Sequence, residues 1–328
     1  MRKAISPISN NLRRTLGSSR LFSKPPHSHN ATRLMSSIFQ HNDKSTTFAA
    51  KMFEHSPAGT ITARSLSSKS GLNGVDILAS FGEKSKSFEG NNIAGAMEAL
   101  AHADAVCFDV DSTVITEEGI DVLADSLGKG KVVADWTAKA MTGNVKFEDA
   151  LSARLKIMEP SESSIIQCLE SSPLELSPGV ETLIQTLSAT GTDVYLVSGG
   201  FRIMIEPVAM SIGVPKDRIY ANTILFDDNG DYAGFDADEL TSRDLGKPRA
   251  LEKIKKENGY ETMIMVGDGA TDAQAKPPAD AFIGFGGVVV RETVKEKACW
   301  YVTDFQDMID ILKRYRKVLY TENPKVYD

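Results

Sequence analysis

The stretch AVCFDVDSTVITEEGID, residues 105–121, constrains the fold more than any other part of the sequence. Ala105 to Phe108 form an apolar run whose length and flanks favour a buried strand over a helix. Side chains two residues apart on a strand point the same way, so Asp109 and Asp111 should project together from its carboxyl end. Open α/β sheets bind their ligands at that end. Two carboxylates this close repel each other, and a divalent cation such as Mg²⁺, which prefers oxygen ligands, would relieve the repulsion.

The chain beyond this stretch predicts a mainly parallel α/β sheet, because strand and helix patterns alternate along it. We expect further strands at 193–197, 219–226, 232–235, 262–266, 281–285 and 300–302. Helices are expected at 93–101, 180–189, 201–212, 248–258 and 305–318, with a glycine turn at Ser198–Gly200. Asn229-Gly230 between two strand patterns predicts a hairpin. A dinucleotide-binding fold is the alternative, but no GxGxxG motif follows the first strand.

The segment after Asp111 changes to helical patterns. Thr116 is a candidate cap for the first helix, which carries Ile120, Leu123 and Leu127 at helical spacing. Further helices are expected at 132–141, 147–158 and 161–170. About 60 residues of helix thus separate the first strand from the next, which predicts an inserted helical unit.

The amino-terminal region differs in charge from the rest of the chain. Residues 1–64 hold ten Lys or Arg against Asp43 and Glu54, a net charge of +8. Since the 328-residue chain has a net charge of −7, the remainder carries −15. A basic, serine-rich and acid-poor start is typical of a transit peptide for a mitochondrion or a plastid, and such a segment is expected to be disordered. The alternative is a disordered basic arm that binds an acidic partner.

Four motifs in order resemble those of the haloacid dehalogenase (HAD) superfamily of phosphotransferases. They are DVDST at 109–113, Ser198-Gly199-Gly200, Gly246-Lys247-Pro248 and GDGATD at 267–272. Each alone has a simpler explanation, such as a glycine turn, a solvated lysine or a helix cap. The segments DVDSTVITEEGID and FEDALSARL are closer still to the phosphoserine phosphatases of this superfamily. The resemblance spans about Ala103 to Phe305.

This resemblance implies a Rossmann-like HAD core with a small α-helical cap. The core would comprise 103–114 and 179–316, and the cap 115–178. Residues 65–102 would be a linker and lead-in helix, and 317–328 a tail.

The resemblance also implies roles for the residues of the core. Asp109 would be the nucleophile that forms an aspartyl-phosphate, and Asp111 the proton donor and general acid–base. Phosphate would be bound by Ser198, Gly199, Gly200, Lys247 and Thr271. Mg²⁺ would be held by Asp109, Asp268 and the backbone carbonyl of Asp111, with Asp272 in support.

The cap residues would set the substrate. Arg154 falls within the apolar stripe of helix 147–158, where a charged side chain needs a partner or a ligand. An arginine whose charged end reaches past the core edge to water is the alternative. The resemblance assigns Arg154 to a substrate carboxylate and Glu118 to a substrate ammonium. Met141 and Phe147 would form the apolar lid of the pocket.

We therefore expect a magnesium-dependent hydrolase of O-phospho-L-serine, acting in serine biosynthesis. The alternatives are a phosphatase for another small phosphomonoester and an inactive binding protein with the same fold. The acidic body argues against nucleic acid as a partner. No apolar run reaches the roughly 18 residues of a membrane span. A small molecule is thus the expected partner, and a homodimer is left open.

Overall fold

The computed structural model describes residues 92–141 and 145–322, with the side chains of 140, 141 and 316–322 left out of the description. The expected transit peptide at 1–64 and most of the linker at 65–102 lie outside the described residues, as does the end of the tail.

Helices and strands alternate through most of the described chain. The helices are α1 Ile93–Ala101, α2 Gly119–Ser126, α3 Gly130–Met141, α4 Phe147–Met158, α5 Glu162–Ser171, α6 Val180–Ala189, α7 Arg202–Ser211, α8 Gly246–Asn258, α9 Ala270–Ala273, α10 Glu292–Lys297 and α11 Gln306–Glu322. The strands are β1 Ala105–Phe108, β2 Asp193–Phe201, β3 Ile219–Asn222, β4 Ile224–Phe226, β5 Tyr232–Phe235, β6 Met263–Gly267, β7 Ala281–Phe285 and β8 Trp300–Val302. None of the helices in these ranges has both the length and the apolar character needed to cross a membrane.

Six strands form one parallel sheet in the order β3-β2-β1-β6-β7-β8. Strands β4 and β5 form a separate antiparallel hairpin. The mainly parallel α/β architecture and the hairpin at Asn229-Gly230 are thus confirmed. The central position of β1, between β2 and β6, places the residues that follow it beside the ends of both neighbours.

Strand β1 is apolar throughout because both faces of the sheet are covered. Val106 and Phe108 lie on one face and pack in a core that includes residues of α1, α6 and α11. Ala105 and Cys107 lie on the other face and pack in a core that includes residues of α8. Alternate residues of a strand point to opposite faces, so a strand buried on both sides reads as a continuous apolar run.

Helices α2 to α5 lie between β1 and β2 in the chain and share a third apolar cluster. It contains Leu123, Leu151 and Leu155 from these helices together with Met204 of α7 and Ile224 of the hairpin. The helical unit therefore packs against the main body through apolar side chains.

The two connections to this helical unit run side by side. Ile115 and Leu176 form an isolated antiparallel bridge. The Thr116 N–H donates to Glu175 O at 3.0 Å, and the Ser177 N–H donates to Val114 O at 2.9 Å. We propose that these paired segments form the boundary between the HAD core and its cap.

The predicted cap at Thr116 is wrong, because α2 begins three residues later. Glu118 occupies the residue before the helix, and its side chain does not cap it. The carboxylate of Asp111 accepts instead from the Gly119 N–H at 2.7 Å. A carboxylate at this end is favoured by the helix dipole, but it comes from a different element and so leaves no local sequence pattern.

Two further local predictions are wrong. The turn expected at Ser198–Gly200 remains extended within β2, with a shift in its pairing to β3 between Val197 and Phe201. The strand expected at 219–226 is two strands, since β3 ends at Asn222 and β4 begins at Ile224 in another sheet. One apolar run cannot reveal that its two halves pair with different partners.

Candidate active site

The carboxyl ends of three neighbouring strands bring the predicted motifs together. Asp109 follows β1, Asp268 follows β6, and Ser198 lies near the end of β2. These strands are adjacent and parallel in the sheet, so residues far apart in sequence meet at one edge. Asp109, Ser198 and Asp268 are all buried.

Lys247 lies between two of the acidic side chains. Its Nζ is 2.6 Å from Asp109 Oδ1 and 2.6 Å from Asp272 Oδ1, and the residue is only 8% exposed. Burial lowers the pKa of this ammonium, but the two carboxylates outweigh it and hold the pKa above its usual range. Lys247 is therefore a fixed positive charge beside Asp109.

Asp111 has a different environment from Asp109. Its Oδ1 accepts from the Gly119 N–H at 2.7 Å, and its Oδ2 accepts from Ser198 Oγ at 3.3 Å. Burial, together with the charges of Asp109 and Glu118, raises the pKa of Asp111 to about 7. Such a carboxyl group can hold or release a proton near neutrality, as a general acid–base must.

Three carboxylates form a compact oxygen-rich cluster. One oxygen each of Asp109, Asp268 and Asp272 lies within 4.8 Å of the others, and all three residues are buried. Thr113 Oγ1 donates to Asp268 Oδ1 at 3.3 Å, and the Gly269 N–H donates to Asp272 Oδ2 at 2.8 Å. Burial and the neighbouring Asp109 raise the pKa of Asp272. The donor set suits a hard divalent cation, which would offset the charge of these carboxylates.

The end of β2 lies close to Asp111 and Phe147. The Gly200 N–H donates to Ser198 Oγ at 2.9 Å. A Cβ atom on Gly200 would lie 2.9 Å from Asp111 Oδ2, and one on Gly199 would lie 3.0 Å from Phe147 Cζ. A side chain at Gly200 would force Asp111 to shift, and one at Gly199 would press on the Phe147 ring, so glycine allows the backbone to approach the site closely.

Arg154 points inward from the cap helix α4 and is 9% exposed. Its Nε donates to Ala150 O at 3.2 Å, and its Nη1 donates to Thr137 Oγ1 at 3.4 Å. Burial lowers the pKa of the guanidinium, while the charges of Asp121, Glu118 and Asp111 act in the opposite direction. Arg154 is thus a buried cation that interacts with acidic groups of both cap and core.

Glu118 reaches toward the same region from the start of α2. Its Oε1 accepts from Ser112 Oγ at 2.8 Å, and burial raises its pKa. Asp111 and Arg154 both interact with its charge. Glu118 therefore lies beside Ser112, which follows β1, and the Arg154 guanidinium is within electrostatic reach of Glu118.

Three predicted residues remain, namely Phe147, Thr271 and Met141. Phe147 is half-buried and lies over Gly199. The side chain of Thr271 is exposed. Met141 ends α3, but its side chain lies outside the described residues, as does Thr142.

Sequence reasoning missed Arg291, which immediately precedes α10. Its guanidinium forms an ion pair with Asp268, donates to Asp268 O at 3.3 Å, and lies 3.8 Å from Glu118 Oε1. The sequence offered one signal for Arg291, namely a cation at the start of a helix, where the helix dipole disfavours positive charge. Lys247 carries the same signal, but Arg291 stands in no motif that would have drawn attention to it.

Comparison with known proteins places the chain in a family. Residues 103–277, more than half of the chain, match the haloacid dehalogenase-like hydrolase family. The chain belongs to this family. Asp109 and Asp268 lie within the matched residues.

Named relatives of this HAD-like hydrolase are phosphoserine phosphatases. The chloroplastic phosphoserine phosphatase of Arabidopsis thaliana is 50% identical over 226 residues, which cover 67% of this chain and 77% of the relative. The phosphoserine phosphatase of Homo sapiens is 46% identical over 211 residues, covering 64% and 94% respectively. A solved structure of a phospho-aspartyl intermediate analogue of phosphoserine phosphatase matches with a TM-score of 0.55 at 28% identity, covering 63% of this chain and 98% of that one.

Proposed function

We propose that the protein is a phosphoserine phosphatase, which hydrolyses O-phospho-L-serine to L-serine and phosphate in serine biosynthesis. The observation that carries this proposal is that the start of α2 holds Glu118 against Ser112 and the Gly119 N–H against Asp111, with the buried cation Arg154 of the cap within electrostatic reach. A substrate that bears a carboxylate, an ammonium and a phosphate is complementary to this site, since the carboxylate would pair with Arg154, the ammonium with Glu118 and the phosphate with the core. The named relatives support the same assignment.

The core residues supply a two-step phosphoryl transfer. In the first step a carboxylate oxygen of Asp109 attacks phosphorus, the bond from phosphorus to the serine oxygen breaks, and Asp111 protonates that oxygen. In the second step Asp111 takes a proton from water, whose oxygen attacks phosphorus and releases Asp109. The pKa of Asp111, raised to about 7, suits both directions of proton transfer.

Lys247 and the end of β2 would hold the phosphoryl group. Lys247 is positive and contacts Asp109, so it would lie beside the phosphoryl group that Asp109 attacks. Ser198 Oγ donates to Asp111 and accepts from the Gly200 N–H, so Ser198, Gly199 and Gly200 are the groups at this end of β2 that would donate to the phosphoryl group on the side of Asp111. Thr271 follows Asp268 in the same motif and is the further phosphate donor that we propose.

Mg²⁺ is the cofactor that we propose for the carboxylate cluster. Asp109, Asp268 and the backbone carbonyl of Asp111 would hold it, and Asp272, which lies in the same cluster and pairs with Lys247, would orient them. When bound, the cation would neutralise part of the negative charge of the carboxylates and the phosphate.

The cap residues would select the substrate. Arg154 would bind its carboxylate through two guanidinium N–H groups, and Glu118 would accept from its ammonium. Phe147, with Met141, would cover the pocket. These contacts join cap to core through the substrate, so binding would also hold the cap closed and exclude water.

A substrate panel with and without Mg²⁺ tests this function. The purified protein should release phosphate from O-phospho-L-serine much faster than from sugar phosphates, glycerol phosphates or p-nitrophenyl phosphate, and only with the cation. If the protein hydrolyses another small phosphomonoester faster than phosphoserine, that compound becomes the assigned substrate. Absence of hydrolysis throughout the panel would identify an inactive binding protein.

We also propose that residues 1–64 direct the chain to an organelle, a plastid or a mitochondrion. Their basic, acid-poor composition supports this proposal, as does the name of the Arabidopsis thaliana relative, a chloroplastic phosphoserine phosphatase. A fluorescent fusion of residues 1–64 should accumulate in one of these organelles, and a cytosolic fusion would contradict targeting.

A further inference from the structure

The pairing of β2 with β3 is interrupted beside the active site. Val197 pairs with Tyr220 and Phe201 with Asn222, so Ser198, Gly199 and Gly200 lie opposite the single residue Ala221. Backbone groups in such an irregular segment lose their ladder partners, and buried ones need replacements.

The side chain of Asn222 provides a replacement partner. It is 0% exposed, and its Nδ2 donates to Gly199 O at 2.8 Å. Thr241, also buried, donates from Oγ1 to Asn222 Oδ1 at 2.9 Å. The carbonyl of Gly199 can only accept, so the amide nitrogen must face it and the amide oxygen must face Thr241.

Thr241 lies in a short 3₁₀ helix, Leu240–Ser242, whose preceding residue is anchored to neighbouring elements. This residue, Glu239, pairs through Oε1 with Arg202 Nη2 at 3.0 Å and accepts from Thr223 Oγ1 at 2.8 Å. Arg202 in turn donates to Ile219 O at 2.9 Å. The loop that orients the Asn222 amide is thus anchored to β3 and to the start of α7.

Fixing the Gly199 carbonyl also fixes the next N–H group. The peptide unit between Gly199 and Gly200 is planar, and in the trans form its C=O and N–H point in opposite directions. With the C=O held by Asn222, the Gly200 N–H faces Ser198 Oγ, which in turn contacts Asp111. The N–H is therefore aimed toward the catalytic side of β2 without any contact from Asn222 to that side.

We propose that Asn222, oriented by Thr241, is a positioning residue for phosphate binding. It holds the Gly199–Gly200 peptide so that the Gly200 N–H donates to Ser198 Oγ, which orients this hydroxyl group beside Asp111, where the phosphoryl group would bind. This proposal rests on the proposed phosphatase function, in which the end of β2 binds phosphate. Two glycines in sequence have wide conformational freedom, so without this contact the segment would sample other orientations.

The test compares Asn222→Ala and Thr241→Val with Thr241→Ser in the full chain with Mg²⁺. We measure inhibition by inorganic phosphate, kcat and KM for phosphoserine and for p-nitrophenyl phosphate, and the melting temperature. Asn222→Ala should raise the phosphate Ki about tenfold, which corresponds to about 1.4 kcal/mol. It should also lower kcat/KM for both substrates by the same factor, because both carry the same phosphoryl group.

Thr241→Val keeps the shape of the side chain but removes the donor that orients Asn222. It should raise the phosphate Ki roughly threefold, because the hydrogen bond that is lost orients Asn222 and does not itself contact the phosphate. Thr241→Ser retains the hydroxyl group and should restore the wild-type Ki. Thr241→Val provides the result even if Asn222→Ala fails to fold.

Leu187→Ala is the matched control for stability, since Leu187 is fully buried in α6 and takes no part in the hydrogen bonds of Asn222 and Thr241. It should lower the melting temperature and leave the phosphate Ki unchanged. An unchanged Ki in folded Thr241→Val, or an equal rise in Leu187→Ala, overturns the positioning role.

Failure of the proposed function gives a different result. A wild-type protein that ignores phosphoserine but hydrolyses p-nitrophenyl phosphate would refute the substrate assignment alone. The change in phosphate Ki would still decide the role of Asn222. A wild-type protein that binds no inorganic phosphate would overturn both.

Discussion

Replacing Arg154 by alanine tests the substrate assignment, because Arg154 is a buried cation beside acidic groups. In the free protein its charge interacts with Asp121, Glu118 and Asp111. In the complex that we propose, it also pairs with the substrate carboxylate in a closed site. Removing one partner of a buried charge pair costs about 2–5 kcal/mol. Each 1.4 kcal/mol is a factor of ten, so kcat/KM for phosphoserine should fall about 30-fold or more.

The assay compares phosphoserine with p-nitrophenyl phosphate, which lacks both the carboxylate and the ammonium. Arg154→Ala should depress hydrolysis of phosphoserine and should change hydrolysis of p-nitrophenyl phosphate little. Arg154→Lys, which keeps the charge but loses the two-pronged donor, should recover only part of the activity. Lys156→Ala is the matched control, because it removes an exposed cation from the same helix.

Equal losses on both substrates in Arg154→Ala would refute the reasoning. The residue would then support the fold or the chemistry, and the amino-acid specificity would reside elsewhere. A Glu118→Gln variant should show the same selectivity as Arg154→Ala, with a smaller loss.

Three other predictions follow from the site and the sequence. Lys247→Met leaves Asp109 and Asp272 buried without their cation, so the metal-free variant should lose about 3–5 kcal/mol of folding free energy at neutral pH. Burial and Asp109 raise the pKa of Asp272 and Lys247 opposes this, so without Lys247 that pKa should rise further on folding, and the variant should be more stable at pH 5 than at pH 8 in urea unfolding; a uniform loss would contradict this. Chelation should abolish phosphoserine hydrolysis and Mg²⁺ should restore it, whereas full activity in excess chelator would exclude a required metal. A chain starting at Ser65 should keep wild-type activity in vitro and fail to enter an organelle in cells, and loss of activity would show that residues 1–64 belong to the folded enzyme.

The sequence predicted the sheet well where a strand carries its own local signals. Strands 281–285 and 300–302 and helix 147–158 have the predicted bounds, since each has a clear apolar pattern and polar or glycine-rich flanks. The meeting of Asp109, Lys247 and Asp268 was also predictable, since each lies at a motif position where a strand ends or a helix begins.

The errors concern contacts between elements that are distant in the chain. The cap of α2 is the carboxylate of Asp111, and the carbonyl of Gly199 in the extended segment Ser198–Gly200 accepts from the side chain of Asn222. Arg291 reaches the site from the far end of the sheet, next to α10. A single sequence records the type of each residue but not such a partner, so these features appear only once the chain is folded.

Phosphorylation of Asp109 is the measurement that tests the central claim most directly. Brief incubation with phosphoserine and Mg²⁺ followed by acid quench, borohydride reduction and peptide mass spectrometry should convert Asp109 to homoserine, the product of reducing an acyl-phosphate. Asp109→Asn should fold normally, give no homoserine and have no turnover. Trapping of the phosphoryl group on another residue, or substantial hydrolysis by Asp109→Asn, would contradict the covalent mechanism.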